Sequence, residues 1–158
     1  MSTPFPKFVW ARLEPGVDPI TGIAAVIEEL GADSGSIVQC MGSLDVFHYM
    51  IAVPDAEHGF KYSAPMTRTG PMEFLSTQGS WGRDIETGEL VVHMHGMVID
   101  AQGQPFGGHL IPGGSRTLAT VEVALITGEG VQIRRTFDRG LGVPVLMPAT
   151  AVPQLAKA

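Results

Sequence analysis

A single stretch of this chain carries a clear helical period. Ile20, Ile23, Ala24, Ile27 and Leu30 recur at three- and four-residue steps. Asp18 stands where an N-cap accepts from an unpaired backbone N–H, and Pro19 where the first helical residue needs no donor. Gly31 stands where a helix stops in left-handed geometry. The spacing predicts one helix over 18–30 with an apolar stripe to lay on a sheet. Glu28 and Glu29 fall off the stripe, toward solvent. Elsewhere, twenty glycines and twelve prolines in 158 residues favour turns and short strands over long helices.

Period-two alternation and β-rich composition predict strands over 8–13, 36–41, 44–53, 72–78, 89–100, 106–110, 117–127 and 131–137. Gly42-Ser43, Gly79-Ser80 and Gln102-Gly103 read as turns between them. Residues 54–70 read as a loop holding at most a short strand, and 81–88 as a further connection. The expected class is α+β: a mostly antiparallel sheet packed with one main helix in a single domain. That domain spans 8–140, after a segment over 1–7 and before a Pro-, Val- and Ala-rich tail over 141–158.

Within the strand over 89–100, V-V-H-M-H-G-M-V-I-D sets His93 and His95 two residues apart, so both imidazoles project from one face. His109 follows in F-G-G-H-L, where the next strand can bring it back beside them. Gly107-Gly108 before it suits close backbone approach. Three neutral imidazoles hold zinc and leave a fourth position open, the pattern of catalytic rather than structural sites. The same three rings also admit iron, nickel or manganese. The plainer alternative is a pair of strand histidines facing a polar pocket or a subunit interface.

Composition excludes several classes. Apolar residues make up 44% of the chain, too many for a disordered protein. The lone Cys40 rules out an internal disulfide framework and a Cys-rich zinc site. The start, M-S-T-P-F-P-K-F, lacks a signal peptide's basic and apolar runs, and no run of 18 apolar residues suggests a membrane span; a cytoplasmic protein is expected. A net charge of −6, with no basic run longer than Arg134-Arg135, argues against autonomous DNA binding. P-loop and G-x-S-x-G nucleophile motifs are absent.

Glu73, in the strand before the histidines, is a candidate proton carrier or ligand-orienting group; a surface carboxylate is the alternative. Arg116, shortly after G-G-H-L, and Arg12 are candidates for holding a substrate carboxylate; each is otherwise a surface or interface ion-pair former. His48 reads as a partly buried structural histidine and His58 as a solvated one.

The order of E-F-L-S-T-Q-G-S, V-V-H-M-H-G-M-V-I-D, G-Q-P-F-G-G-H-L and T-V-E-V-A-L, with R-L-E-P-G-V-D and M-G-S-L before them, resembles the plants-and-prokaryotes-conserved (PPC) domain over residues 8–137. That resemblance implies an α+β fold and a homotrimer with sites near subunit interfaces. Plant members linked to DNA carry a separate basic R-G-R-P segment, which this chain lacks. A more distant likeness is to acetolactate decarboxylase, which holds zinc through H-x-H and a later G-G-H. By that likeness His93, His95 and His109 are the metal ligands, with a longer hairpin between the second and third. The function these readings imply is a zinc-binding homotrimer acting as lyase, isomerase or hydrolase on a small keto or hydroxy acid. The rival is a non-catalytic scaffold or DNA-associated regulator.

Overall fold

Two long strands organise the molecule. In this computed structural model, which describes residues 6–128 and 130–148, β2 (Gly35–Met50) and β5 (Met66–Asp84) pair antiparallel from Gly35 opposite Trp81 to Tyr49 opposite Met66. The breaks expected at Gly42-Ser43 and Gly79-Ser80 do not occur. These glycines mark close approach rather than turning. A Cβ on Gly79 would lie 2.3 Å from the His93 carbonyl oxygen, and one on Gly42 would lie 2.0 Å from that of Thr120. Strands cross tightly there, and only glycine fits.

Strands β1 (Phe8–Leu13), β6 (Leu90–Asp100), β7 (Pro105–Leu110) and β8 (Arg116–Thr127) complete the centre of the sheet. One edge of β2 carries β5 throughout. Its other edge carries β8 as far as Val46 and then β7 at Tyr49 and Met50. Because β7 also pairs with β6, and β6 with β5, four strands close on themselves at this end. Phe47, Met72, Phe74, Val98 and Leu110 are all buried there, and Phe47 lies 6.2 Å from Phe74 and 6.0 Å from Phe106 between ring centroids. Burying such aromatic and aliphatic groups stabilises the closure by about 1.5–3 kcal/mol each.

Helix α1 (Pro19–Leu30) forms where its period predicts. Asp18 caps it, accepting from the Thr21 N–H at 2.9 Å, and Gly31 ends it at φ 62°. Ile20, Ile23 and Ile27 bury the predicted stripe. Arg83 of β5 ties the helix down from outside with a two-pronged pair to Glu28, at 2.9 and 3.1 Å.

Residues expected to form a loop build a small hairpin, β3 (Ala52–Asp55) with β4 (Gly59–Tyr62), and the first turn-free stretch of β5. The expected connection over 81–88 shrinks to a turn after Asp84, whose carboxylate accepts from the N–H groups of Glu86 and Thr87. Part of the expected tail is ordered as well: β9 (Ile133–Asp138) pairs with β10 (Val143–Pro148). This second hairpin joins the end of β5 through the one parallel pairing among the described strands, Arg83 with Arg134 and Asp84 with Arg135. The segments 1–5 and 149–158 lie outside the described residues. No described helix is long and apolar enough to cross a membrane.

Candidate metal centre

The β6–β7 hairpin turns at 101–104 and sets His95 directly opposite His109. His93 lies two residues further along β6, on the same face, while Met94 between them is fully buried on the other. The glycines before His109 make this register possible. A Cβ on Gly107 would sit 2.2 Å from the Gly96 carbonyl oxygen of β6, and one on Gly108 would sit 2.5 Å from that of Met50 on β2. β7 can slot between its neighbours only without those side chains.

The three rings form a triangle with centroids 4.7 to 5.2 Å apart. His93 Nε2 lies 2.9 Å from His95 Nε2, and His109 Nδ1 lies 3.3 Å from that same atom. One ligand atom from each residue falls within 4.8 Å of the others, and no other group of three such residues converges among the described residues. A shared proton can bridge one pair of these nitrogens, not all three. A single cation among them could serve all three nitrogens at once. Burial, then the neighbouring His95, pushes the His93 pKa down. Burial, then His93 and His95, pushes His109 down to about 4. Metal ligation needs neutral imidazole, the form that burial favours at His93 and His109. The donor set therefore fits a divalent ion of nitrogen-preferring character.

The other expected site residues lie elsewhere in the chain. Glu73 is exposed and pairs with Ile99, four residues along β6 from His95, or about 13 Å by strand rise. Arg116 stands opposite Val46, about as far along β2 from the partner of His109, and gives Nε and Nη2 to Asp45 at 2.8 and 2.7 Å. Arg12, on β1, donates to Glu14 at 2.7 Å. Of the other two histidines, His48 contacts the Thr67 hydroxyl at 2.8 Å, and His58 is partly buried in the β3–β4 turn. Cys40 is buried, with its thiol pushed up to about 12 by that burial, and so is no ligand or nucleophile.

The model of the Plants and Prokaryotes Conserved (PCC) domain matches residues 3–129, the span that includes every element from β1 to β8. The chain belongs to that family. No curated protein matches the chain. Solved structures share the PCC-domain fold. A metal-containing protein from Archaeoglobus fulgidus is 22% identical with a TM-score of 0.77, over 92% of this chain and 96% of that one. A plant- and prokaryote-conserved (PPC) protein from Pyrococcus horikoshii is 22% identical with a TM-score of 0.71, over 87% and 90%. A protein from Bacteroides thetaiotaomicron, described as a proposed DNA-binding protein, is 18% identical with a TM-score of 0.70, over 89% and 91%.

In this PCC domain the imidazoles stand between two concavities. An open cleft of about 690 Å³ runs over β5, β6 and β7, past Gln78, His95 and Met97. On the other side, a more enclosed cavity of about 300 Å³ is lined by His93 and His109, with Tyr62 and Arg135. Tyr62 tilts over His109 with ring centroids 5.0 Å apart. Sequence reasoning finds neither Tyr62 nor Arg135, because each reaches the site on a hairpin whose docking no local pattern announces. The aromatic alternation F-K-Y after a glycine at 59–62 is the one signal that points to the first hairpin.

Proposed function

We propose that the chain is a zinc-binding homotrimer whose three-histidine centre acts on a small keto or hydroxy acid. The observation that carries this reading is the convergence of three imidazole nitrogens within 4.8 Å, with no carboxylate or thiolate among them. Zinc held by three histidines keeps an open position for water or substrate. When bound, the ion supplies a Lewis acid that polarises a carbonyl or stabilises an enolate, which suits lyase, isomerase or hydrolase chemistry. The metal-containing neighbour from Archaeoglobus fulgidus supports a metal-binding role.

Assembly is supported by unusually exposed apolar groups. Phe8 and Trp10 of β1 are 64% and 57% exposed, and Leu75 and Met97 of β5 and β6 are 50% and 51% exposed. Surfaces of this kind mark interfaces. Glu73, Arg116 and Arg12, remote from the triad of their own chain, would serve it as proton carrier and carboxylate holders only from a neighbouring protomer.

Elemental analysis of protein purified without added metal should find about one zinc per chain, and His95→Ala should lose most of it. Full occupancy in that variant would refute the assignment. DNA association is the second reading, favoured by the description of the Bacteroides thetaiotaomicron neighbour and opposed by the net charge of −6. Tight, salt-sensitive DNA binding by metal-free protein in an anisotropy titration would establish it instead.

A further inference from the structure

The enclosed cavity behind His93 and His109 has walls of two kinds. Val91 of β6 and Met50 of β2, which share the histidine face, form one side, and Leu146 of β10 the other. Its polar groups are the two imidazoles, Tyr62 and one cation, Arg135. No acidic side chain lines it among the described residues. Arg135 stands opposite Leu146 across the β9–β10 pair, so charge and hydrocarbon share one face of that hairpin. Nη1 of Arg135 donates to Asp84 at 3.0 Å. Asp84 is itself held by two backbone N–H groups, which lower its pKa, so it stays an anion and fixes the guanidinium in place. A guanidinium offers five N–H donors, and one such pair leaves others for a ligand. Arg116, by contrast, spends its fork on Asp45 and lies along the sheet from the histidines.

We infer that this cavity binds a small aliphatic carboxylic acid, with its carboxylate on Arg135, its hydrocarbon tail on Leu146, and its next oxygen toward His93 and His109. The inference rests on the metal reading for its catalytic meaning, and it makes Arg135 the carboxylate holder within a single chain. The volume, about 300 Å³, sits at the lower end of small-molecule sites and suits an acid of about five or six carbons. Apolar walls with few convergent polar groups are the usual composition of such sites.

The test uses the full chain with methyl-labelled valine and leucine, its metal content measured first. Pyruvate, 3-methyl-2-oxobutanoate and the uncharged ketone 3-methyl-2-butanone are titrated by NMR. The branched acid should shift the methyl signals of Leu146 and bind about 15-fold more tightly than pyruvate, at roughly fourfold for each of its two added carbons. Arg135→Gln should weaken the acid at least about tenfold, as loss of a charged hydrogen bond implies, and leave the ketone unchanged. Arg139→Gln, an exposed cation at the turn of the same hairpin and outside the cavity lining, should leave all three unchanged. Leu146→Phe, which keeps the Arg135–Asp84 pair, should erase the preference for the branched acid. Equal affinity for the two acids, unmoved Leu146 signals, or a silent Arg135→Gln overturns the inference. The two readings fail separately. Metal without chain-length preference removes the cavity assignment alone, whereas chain-length preference and Arg135 dependence in protein without metal remove the metal reading alone.

Discussion

Acidification separates this triad from three ordinary histidines. An imidazole with the usual pKa of about 6.5 is about three-quarters neutral at pH 7 and about 3% neutral at pH 5, so it loses about 25-fold in availability as a ligand. Three such ligands would cost about 10⁴-fold in metal affinity over those two pH units. His109 is held down to about 4 by burial and by its two neighbours. It is still about 90% neutral at pH 5, so its share of the loss is roughly 1.1-fold. His93 is lowered as well, and its share is smaller than an ordinary ring's. With His109 contributing almost nothing and His93 less than an ordinary ring, the structure places the loss at least about 20-fold below that 10⁴-fold figure. Calorimetric titration of apo-protein with zinc in a non-coordinating buffer, at pH 7 and pH 5, reads the ratio directly. Tryptophan fluorescence of buried Trp81 checks that the fold persists at both. A loss near 10⁴-fold with the fold intact would mean that the three nitrogens titrate independently, and the packed, partly buried triangle would be wrong.

The same shift makes apo-protein acid-sensitive. The unfolded chain binds a proton at His109 near 6.5 and the folded chain only near 4, so stability should fall as pH drops through that window, and His109→Gln should flatten the fall in urea titrations at pH 7 and 4.5. Gly107→Ala forces a Cβ against the Gly96 carbonyl and should destabilise by at least about 1–3 kcal/mol while lowering metal content; Gly140→Ala, whose Cβ meets only the Asp138 carboxylate, should leave metal content intact. Trp81→Ala should cost about 3–5 kcal/mol in thermal or urea unfolding, since the ring is fully buried and donates to the Ala32 carbonyl at 3.3 Å. Light scattering should give a mass near three times 16.8 kDa; a clean monomer would remove the assembly.

The site was more legible in the residues than the sheet that carries it, and the reason is locality. His93 and His95 share a face by alternation alone, because the apolar residues Met94 and Val98 commit the other face to the core. His95 and His109 each lie seven residues from Gln102, so a hairpin turning there pairs them, as β6 and β7 do. Both inferences need only a strand period and a turn. The strand ends needed more. Gly42 and Gly79 look like turns when read locally, yet each is set by a carbonyl on a neighbouring strand, Thr120 for Gly42 and His93 for Gly79. A glycine demanded by a neighbour's backbone and one demanded by a positive φ leave the same letter. The docking of β9–β10 was hidden for a related reason: the parallel contact between Asp84 and Arg135 spans 51 residues and involves two exposed-looking charges.

This difference bears on function. The triad, built on one hairpin, can form in any chain that keeps the β6–β7 turn and its glycines. What surrounds the triad, Tyr62 on one hairpin and Arg135 with Leu146 on another, comes from segments whose attachment is long-range and can be varied without disturbing the ligands. Chemistry at the ion and choice of ligand are thus placed on separable parts of one sheet. Substitutions in β10 should change which acid binds while leaving metal content untouched, and substitutions at Gly107 or Gly108 should do the reverse. A β10 variant such as Leu146→Phe that lost its metal would show that the two parts are one cooperative unit, and the separation argued from the strand pairings would fail.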